Sequence, residues 1–368
     1  DFHYLTGYNE PHAVLLIFSS PQTTPDGNTY KEIIFVQERN ARAEQWNGRR
    51  LGVEGTIASL GFESAYNGSE FEALDINFKS FDKVLFYNFN NDYRDTRDGA
   101  DLFDLVKSFK NKIGFPANYN ASLQQVYTLI QSTTEKDTQK VVSQLKRYMS
   151  RDASLAEDPV VKDFLNAAMQ PKDQKIMDRA KKAVNLAINQ YNFDLEGLGQ
   201  IMSSLRETKL PEEMALLRKA IEISAVGQLE VMKAMHPEMS ETEVQGVHEY
   251  VYKKYGAEYE GYPSIVGGGN NGCILHYIEN NKPELGAELV LMDLGAEYHG
   301  YTADVTRTIP ANGVFSPEQK AIYEIVYNAQ EAGIAASVVG APFSAPGAAA
   351  SKVVADGLIS LGLIKEAS

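Results

Sequence analysis

A single cysteine in 368 residues removes the internal disulfide as a device for holding this chain together, because Cys273 has no partner within it. The redox compartment stays open on that count, with a lean toward a reducing one. Long apolar runs are missing as well. The longest, AVLLIF from Ala13 to Phe18, falls far short of the roughly 20 residues that a membrane helix needs, so no membrane partner is expected. Basic residues are in deficit, 35 lysines and arginines against 49 aspartates and glutamates. The net charge of −14 argues against nucleic acid, whose recognition needs a basic surface. The chain opens without a signal peptide and without an initiator methionine, Asp1-Phe2-His3 running straight into strand-like sequence. The true N-terminus is therefore expected upstream, which leaves an exported form open beside the cytoplasmic location otherwise expected.

What is present is ordinary globular material. Hydrophobic residues make up 43% and charged residues 23%, which excludes disorder as the main state, and the length points to two domains. Up to about residue 120, β-rich runs (HAVLLIF, KEIIFVQ, DKVLFYNF) alternate with turn clusters such as SSPQTTPDGN and with a helical stretch from Asp101 to Lys110. That alternation predicts an α/β domain. From about 121 to 207 the composition is helical, with Pro159, Pro171 and Pro211 marking interruptions. We place the domains at 1–207 and 208–368.

The second domain has three signalled helix starts: Pro211 with Glu212 and Glu213, the capping box Ser240/Glu243, and Ser316-Pro317-Glu318-Gln319. Met214, Leu217 and Ile221 recur on one helix face, and Val244, Val247, Val251 and Tyr255 on another. Both stripes are read as core. Pro342 and Pro346 divide the apolar stretch from Gly333 to Ala350 into a helix, a loop and a new helix. The expected order is helix, helix, strands, helix.

Between the second and third helices lies the chemistry. GGGNNG is not a phosphate loop, since no Lys-Ser/Thr follows it and no helix opens from it. Its glycines fit a close backbone approach instead. His276 stands in a β-like run, Leu275-His276-Tyr277, where a histidine can be a hydrogen-bonded structural residue or a functional one. LVLMDLGAEYHGYTADVTRT, from Leu289 to Thr308, reads as a hairpin. With the turn at Tyr298-His299, Asp293 falls directly opposite Asp304. Two carboxylates about 5 Å apart at Cβ destabilise a sheet, and a hard divalent cation removes the conflict. The alternative is a pair of strand-end aspartates that cap turns.

The segments NGCILHY, VLMDLGAEYHGYTADVTRT and FSPEQKAIYEIVYNAQEAG, together with DFHYLTGYNEPHAVLLIF at the start and EQWNGRRLG around Trp46, resemble the metallopeptidase family that includes aminopeptidase P and prolidase. The resemblance covers almost the whole chain. It implies an α/β N-terminal domain followed by an α+β pita-bread (creatinase/aminopeptidase-like) domain, the latter truncated as it stands. It implies two divalent metal ions, usually Mn2+, with Asp293 binding one and Asp304 bridging both. His276 matches the residue that hydrogen-bonds substrate near the scissile peptide. Tyr262 and Ile265 match the pocket for the N-terminal residue, and Trp46 matches a tryptophan near the active site in family oligomers, though large aromatics also serve packing alone. Proline-containing peptides are the implied partners, and a homodimer or homotetramer the implied assembly.

The family completes its metal site with a histidine in a Pro-His-Gly motif and two glutamates further along. Here the last histidine is His299, and the sequence stops at Ser368 where that motif is due. We therefore expect the sequence to be incomplete at both ends. The activity implied is removal of an N-terminal residue before proline. A prolidase, restricted to Xaa-Pro dipeptides, and a non-catalytic pita-bread binding module stand as alternatives. Creatinase does not use the metal-binding aspartates, and methionine aminopeptidase lacks a matching N-terminal domain.

Overall fold

The computed structural model describes residues 1–23, 27, 29–88, 94, 96, 99–134, 136–169, 174–188 and 191–366. The chain divides into two units, Asp1–Thr208 and Lys209–Ser368.

In the first unit, β1 (Val14–Thr23) and β2 (Thr29–Val36) pair antiparallel, and β3 (Ala65–Asn67) joins β2 in parallel. The run SSPQTTPDGN is not all turn. Its first residues continue β1 past a register shift between Ile17 and Gln22, Thr23 pairs with Thr29, and part of its remainder lies outside the described residues. Short β4 (Val84–Leu85) pairs in parallel with β5 (Phe193–Asp194), a strand inside the stretch expected to be helical. An aromatic core explains that pairing: Phe86 meets Phe109 edge-on at 4.9 Å and Phe193 at 5.9 Å between ring centroids, a geometry that adds to simple burial. The helix Leu102–Ile113 covers this core, and the Asp101 side chain caps it by accepting from the Asp104 amide at 3.0 Å. Four further helices, Ala121–Ser132, Thr138–Arg151, Pro159–Met169 and Gln174–Ile188, enclose a second core around Val126, Ile130, Leu145, Phe164 and Val184. Pro159 begins a helix, as its missing N–H allows. Pro171 lies outside the described residues.

The second unit contains β6 (Tyr259–Glu260), β7 (Ile265–Gly268), β8 (Leu289–Leu294), β9 (Ala296–Tyr298), β10 (Tyr301–Thr302) and β11 (Val305–Pro310). They form two three-stranded antiparallel sheets, ordered β11-β8-β7 and β10-β9-β6. Alternation along β8 buries Val290, Met292 and Leu294 against the helices Pro211–Ala234 and Glu241–Lys254. It leaves Asp293 on the other, half-exposed face. Both capping boxes form: Ser240 Oγ accepts from Glu243 N at 3.1 Å, and Ser316 Oγ from Gln319 N at 3.2 Å. The last two helices, Pro317–Ala336 and Ala345–Ser360, are divided as the prolines predict.

The buried faces of the first two helices differ from the expected stripes. Met214 and Ile221 are exposed, and the core face of the first helix is Ala220, Ile223, Ser224, Gly227 and Val231. Small residues decide it. A Cβ on Gly227 would stand 2.9 Å from Tyr252 Cε1 and 3.1 Å from His248 Nδ1, so the helices approach on the side where bulk is lacking. The second stripe holds for Val244 and Val251, while Tyr255 is exposed and His248 and Tyr252 take the buried places.

His248 is fully buried, and among the described residues neither ring nitrogen has a hydrogen-bond partner. Burial pulls its pKa from 6.5 down to about 4. The unfolded chain therefore takes up this proton before the folded one does. Stability is unaffected above pH 6.5, falls as pH drops below it, and levels off below about pH 4 at a total loss of about 3 kcal/mol. Denaturant titrations between pH 7 and 4 should show that slope in the wild type and a flatter one in His248→Phe. Equal slopes would refute the assignment.

Candidate active site

The hairpin is closed by His299 and Gly300, not by Tyr298 and His299. Both turn residues have positive φ, 49° and 80°, the requirement of a two-residue type I′ turn, and Tyr298 pairs with Tyr301. Moving the turn by one residue moves each strand partner by two. Asp293 therefore lies opposite Thr306. Asp304, one residue before β11, falls opposite Gly295. Because strand side chains alternate with period two, a shift of two keeps both aspartates on one face, as diagonal neighbours.

Their carboxylates converge on one hydroxyl. Tyr262 Oη donates to Asp293 Oδ1 at 2.6 Å and lies 3.5 Å from Asp304 Oδ1. Burial, then the hydrogen bond to Asp293, then the charges of Asp293 and Asp304 push the Tyr262 phenol well above its ordinary pKa, so it remains a donor at any working pH. Among the described residues neither carboxylate accepts a backbone N–H. Turn capping therefore does not account for either aspartate.

The pair sits where the strands pass from one sheet to the other. Gly295 links β8 to β9, and its carbonyl accepts from Gly261 N at 2.9 Å. A Cβ on Gly295 would lie 1.7 Å from the Ala303 carbonyl oxygen and 3.1 Å from Tyr262 Cε1, so this crossing admits only glycine. Ile265 is the cross-strand partner of Asp293 and is 4% exposed. Its burial means that only a sliver of it could meet a ligand.

His276 is not in a strand. It occupies an exposed turn after the 3-10 helix Gly269–Cys273, and among the described residues no hydrogen bond holds its imidazole. Its backbone is held firmly nonetheless. Fully buried Glu241, which lies between the two capping-box residues, accepts four hydrogen bonds from this loop: from Gly268 N (2.8 Å), Asn271 Nδ2 (3.0 Å), Tyr277 Oη (2.8 Å) and Lys282 N (2.9 Å). Asn280, also buried, accepts from Val266 N and donates to the Ser264 carbonyl and Gln245 Oε1. Sequence reading missed both residues, because their partners are up to 41 positions away.

Trp46 belongs to the first unit, on the helix Ala41–Asn47, and is 83% exposed, which rules out packing as its role within this unit. Among the described residues no cluster of three or more His, Cys, Asp or Glu could hold a metal. None of the described helices is long and apolar enough to cross a membrane.

Comparison with known proteins agrees with this architecture. Residues 1–83 match the N-terminal domain of aminopeptidase P, and residues 215–365 match metallopeptidase family M24. The second unit carries the match to metallopeptidase family M24 over nearly its whole length. The fold of the chain is an aminopeptidase P N-terminal domain joined to the pita-bread domain of that family. The Xaa-Pro aminopeptidases of Haemophilus influenzae and Escherichia coli are 29% and 28% identical to it, over 99% of this chain and 63% and 65% of their own length. Aminopeptidase PepP of Pseudomonas aeruginosa superposes with a TM-score of 0.69 at 26% identity, over 100% of this chain and 64% of its own. Zinc-substituted Escherichia coli aminopeptidase P in complex with product gives 0.64 at 26%, over 100% and 65%. The chain thus spans just under two thirds of the length of these relatives.

Proposed function

We propose that the protein is a dinuclear-metal peptidase that removes the N-terminal residue from peptides with proline in second place. The observation that carries this reading is the convergence of Asp293 and Asp304 on the Tyr262 hydroxyl, a paired set of hard oxygen donors with no backbone partner to satisfy them. Such donors suit Mn2+. Kinship with Xaa-Pro aminopeptidases supports the substrate class. Asp293 and Asp304 would hold the metal, which when bound supplies Lewis acidity, acidifying water and polarising a carbonyl.

The chain's own residues supply position and proton placement. Tyr262 keeps its proton and fixes one oxygen of Asp293, which orients the other oxygen for a ligand. The Tyr262 ring, with the sliver of Ile265 left uncovered, offers apolar surface to the residue being removed. His276, exposed and unengaged, donates to the peptide near the scissile bond and steadies charge developing there. Trp46 would serve the site of a neighbouring subunit in a homodimer or homotetramer, consistent with its exposure. A cytoplasmic location and the absence of nucleic-acid and membrane partners complete the reading.

The test is hydrolysis of an Xaa-Pro-Xaa tripeptide by the full-length protein with and without Mn2+, alongside Xaa-Pro and Xaa-Ala-Xaa. Manganese-dependent release of the first residue from the proline tripeptide alone is the expected result. Cleavage of the dipeptide only would make it a prolidase, and binding without turnover a non-catalytic module. His276→Ala should lower kcat about a hundredfold with manganese content unchanged, since one positioned donor is worth about that much. Loss of metal from this variant would contradict the role.

A further inference from the structure

We propose that Glu241 is a positioning residue for the hydrolysis suggested above: its buried carboxylate ties both ends of the 268–282 loop together and so sets where the His276 imidazole stands. The inference rests on the aminopeptidase reading and adds a residue to it. His276 has no side-chain bond of its own among the described residues, so its place is inherited from its backbone. That backbone leaves the sheet at Gly268 and does not re-enter it until Leu289, and one carboxylate accepts from the amides of Gly268 and Lys282 on either side of the loop. The same carboxylate accepts from Asn271 and Tyr277, and Asn271 Nδ2 and Tyr277 Oη lie 2.9 Å apart. Tyr277 directly follows His276, and its ring is 6% exposed. The residue that follows His276 in the chain is thus anchored on Glu241 through its phenol.

The anchor is rigid for two further reasons. Glu241 is the first residue of the helix Glu241–Lys254, whose N-terminal dipole favours an anion. Burial alone would push its carboxyl up, but the Gly268 amide, Asn271, the Lys282 amide and Tyr277 together hold it below the usual carboxylate value, so it stays charged. Thr242 on the same helix turn donates to the Asn280 carbonyl at 2.7 Å, fixing the return limb of the loop. A displacement of about 1 Å at a catalytic donor can cost about a hundredfold in rate. The anchor therefore bears on turnover and not only on stability.

The experiment is a double-mutant cycle on the manganese-loaded full-length protein with an Xaa-Pro-Xaa tripeptide. Glu241→Gln puts an amide NH2 among four donors and should lower kcat about tenfold to a hundredfold, with KM changed less than about threefold and metal content unchanged. Combined with His276→Ala it should cost nothing beyond what His276→Ala costs alone, because both remove one function. Hydrogen exchange at amides 269–281 should quicken in metal-free Glu241→Gln, while the sheet amides of β8 keep their protection. If Glu241→Gln does not fold, Tyr277→Phe, which deletes one of the four donors and keeps the ring, enters the same cycle. Losses that multiply in the double variant, or unchanged kcat in both single variants, overturn the inference in an active enzyme. A wild-type protein that does not hydrolyse the tripeptide overturns the aminopeptidase reading, and this inference with it.

Discussion

Asp304→Ala is expected to abolish Xaa-Pro hydrolysis and deplete bound manganese while leaving the metal-free protein at least as stable as the wild type. The activity loss should reach about a thousandfold, since Lewis-acid stabilisation is worth several kcal/mol and about 1.4 kcal/mol is tenfold. The stability arm follows from the charges. Asp293 and Asp304 are diagonal on one sheet face and share one hydroxyl, which can give its single proton only to Asp293. Asp304 is exposed, accepts no backbone N–H among the described residues, and adds like-charge repulsion when no cation is present. Removing it should therefore not lower the thermal midpoint without metal. Manganese should raise the midpoint of the wild type, by linkage, and not that of the variant. A variant that melts lower without metal and retains its manganese would return Asp304 to a merely structural role.

The hairpin shows what sequence could and could not supply. That two aspartates share a face was legible, because strand periodicity survives an error of one residue in the turn. The partner was not: placing the turn at Tyr298-His299 ignored Gly300, whose tolerance of positive φ at the second turn position was the readable signal. Capping boxes at Ser240 and Ser316 were legible because all their atoms lie within four residues. The core face of the helix Pro211–Ala234 was not, because it is selected by the absence of bulk at Ser224 and Gly227, whereas the large residues Met214 and Ile221 point outward. Glu241 hid for a third reason: it sits in a helical first turn, where an acidic residue is already explained by the dipole. Nothing local shows that its oxygens serve a loop up to 41 residues on.

Gly295→Ala should cost more stability than a single methyl added at any other glycine in or between the second unit's two sheets. The added Cβ would stand 1.7 Å from the Ala303 carbonyl oxygen, and a carbonyl in a paired hairpin cannot step aside as a flexible side-chain end can. Ala303 N is itself bonded to the Ala296 carbonyl at 3.0 Å, and the Gly295 carbonyl is held by Gly261 N, so the crossing can open only by giving up those bonds. Overpacking of this severity, with broken buried hydrogen bonds, is expected to cost about 4 kcal/mol or more, or about 10 °C in the thermal midpoint of a unit this size. The control is the same substitution at Gly246, on the helix Glu241–Lys254, where a Cβ meets nothing within 4 Å and φ is not positive. There alanine should stabilise by about 0.5–1 kcal/mol through helix propensity. The control shows that an added methyl is tolerated where it meets nothing, so a large loss at Gly295 beside a gain at Gly246 would locate the constraint at the strand crossing. Gly295→Ala melting with the wild type would mean that Asp293, Asp304 and Tyr262 are not held together by that crossing. The spacing of the two carboxylates would then need another cause.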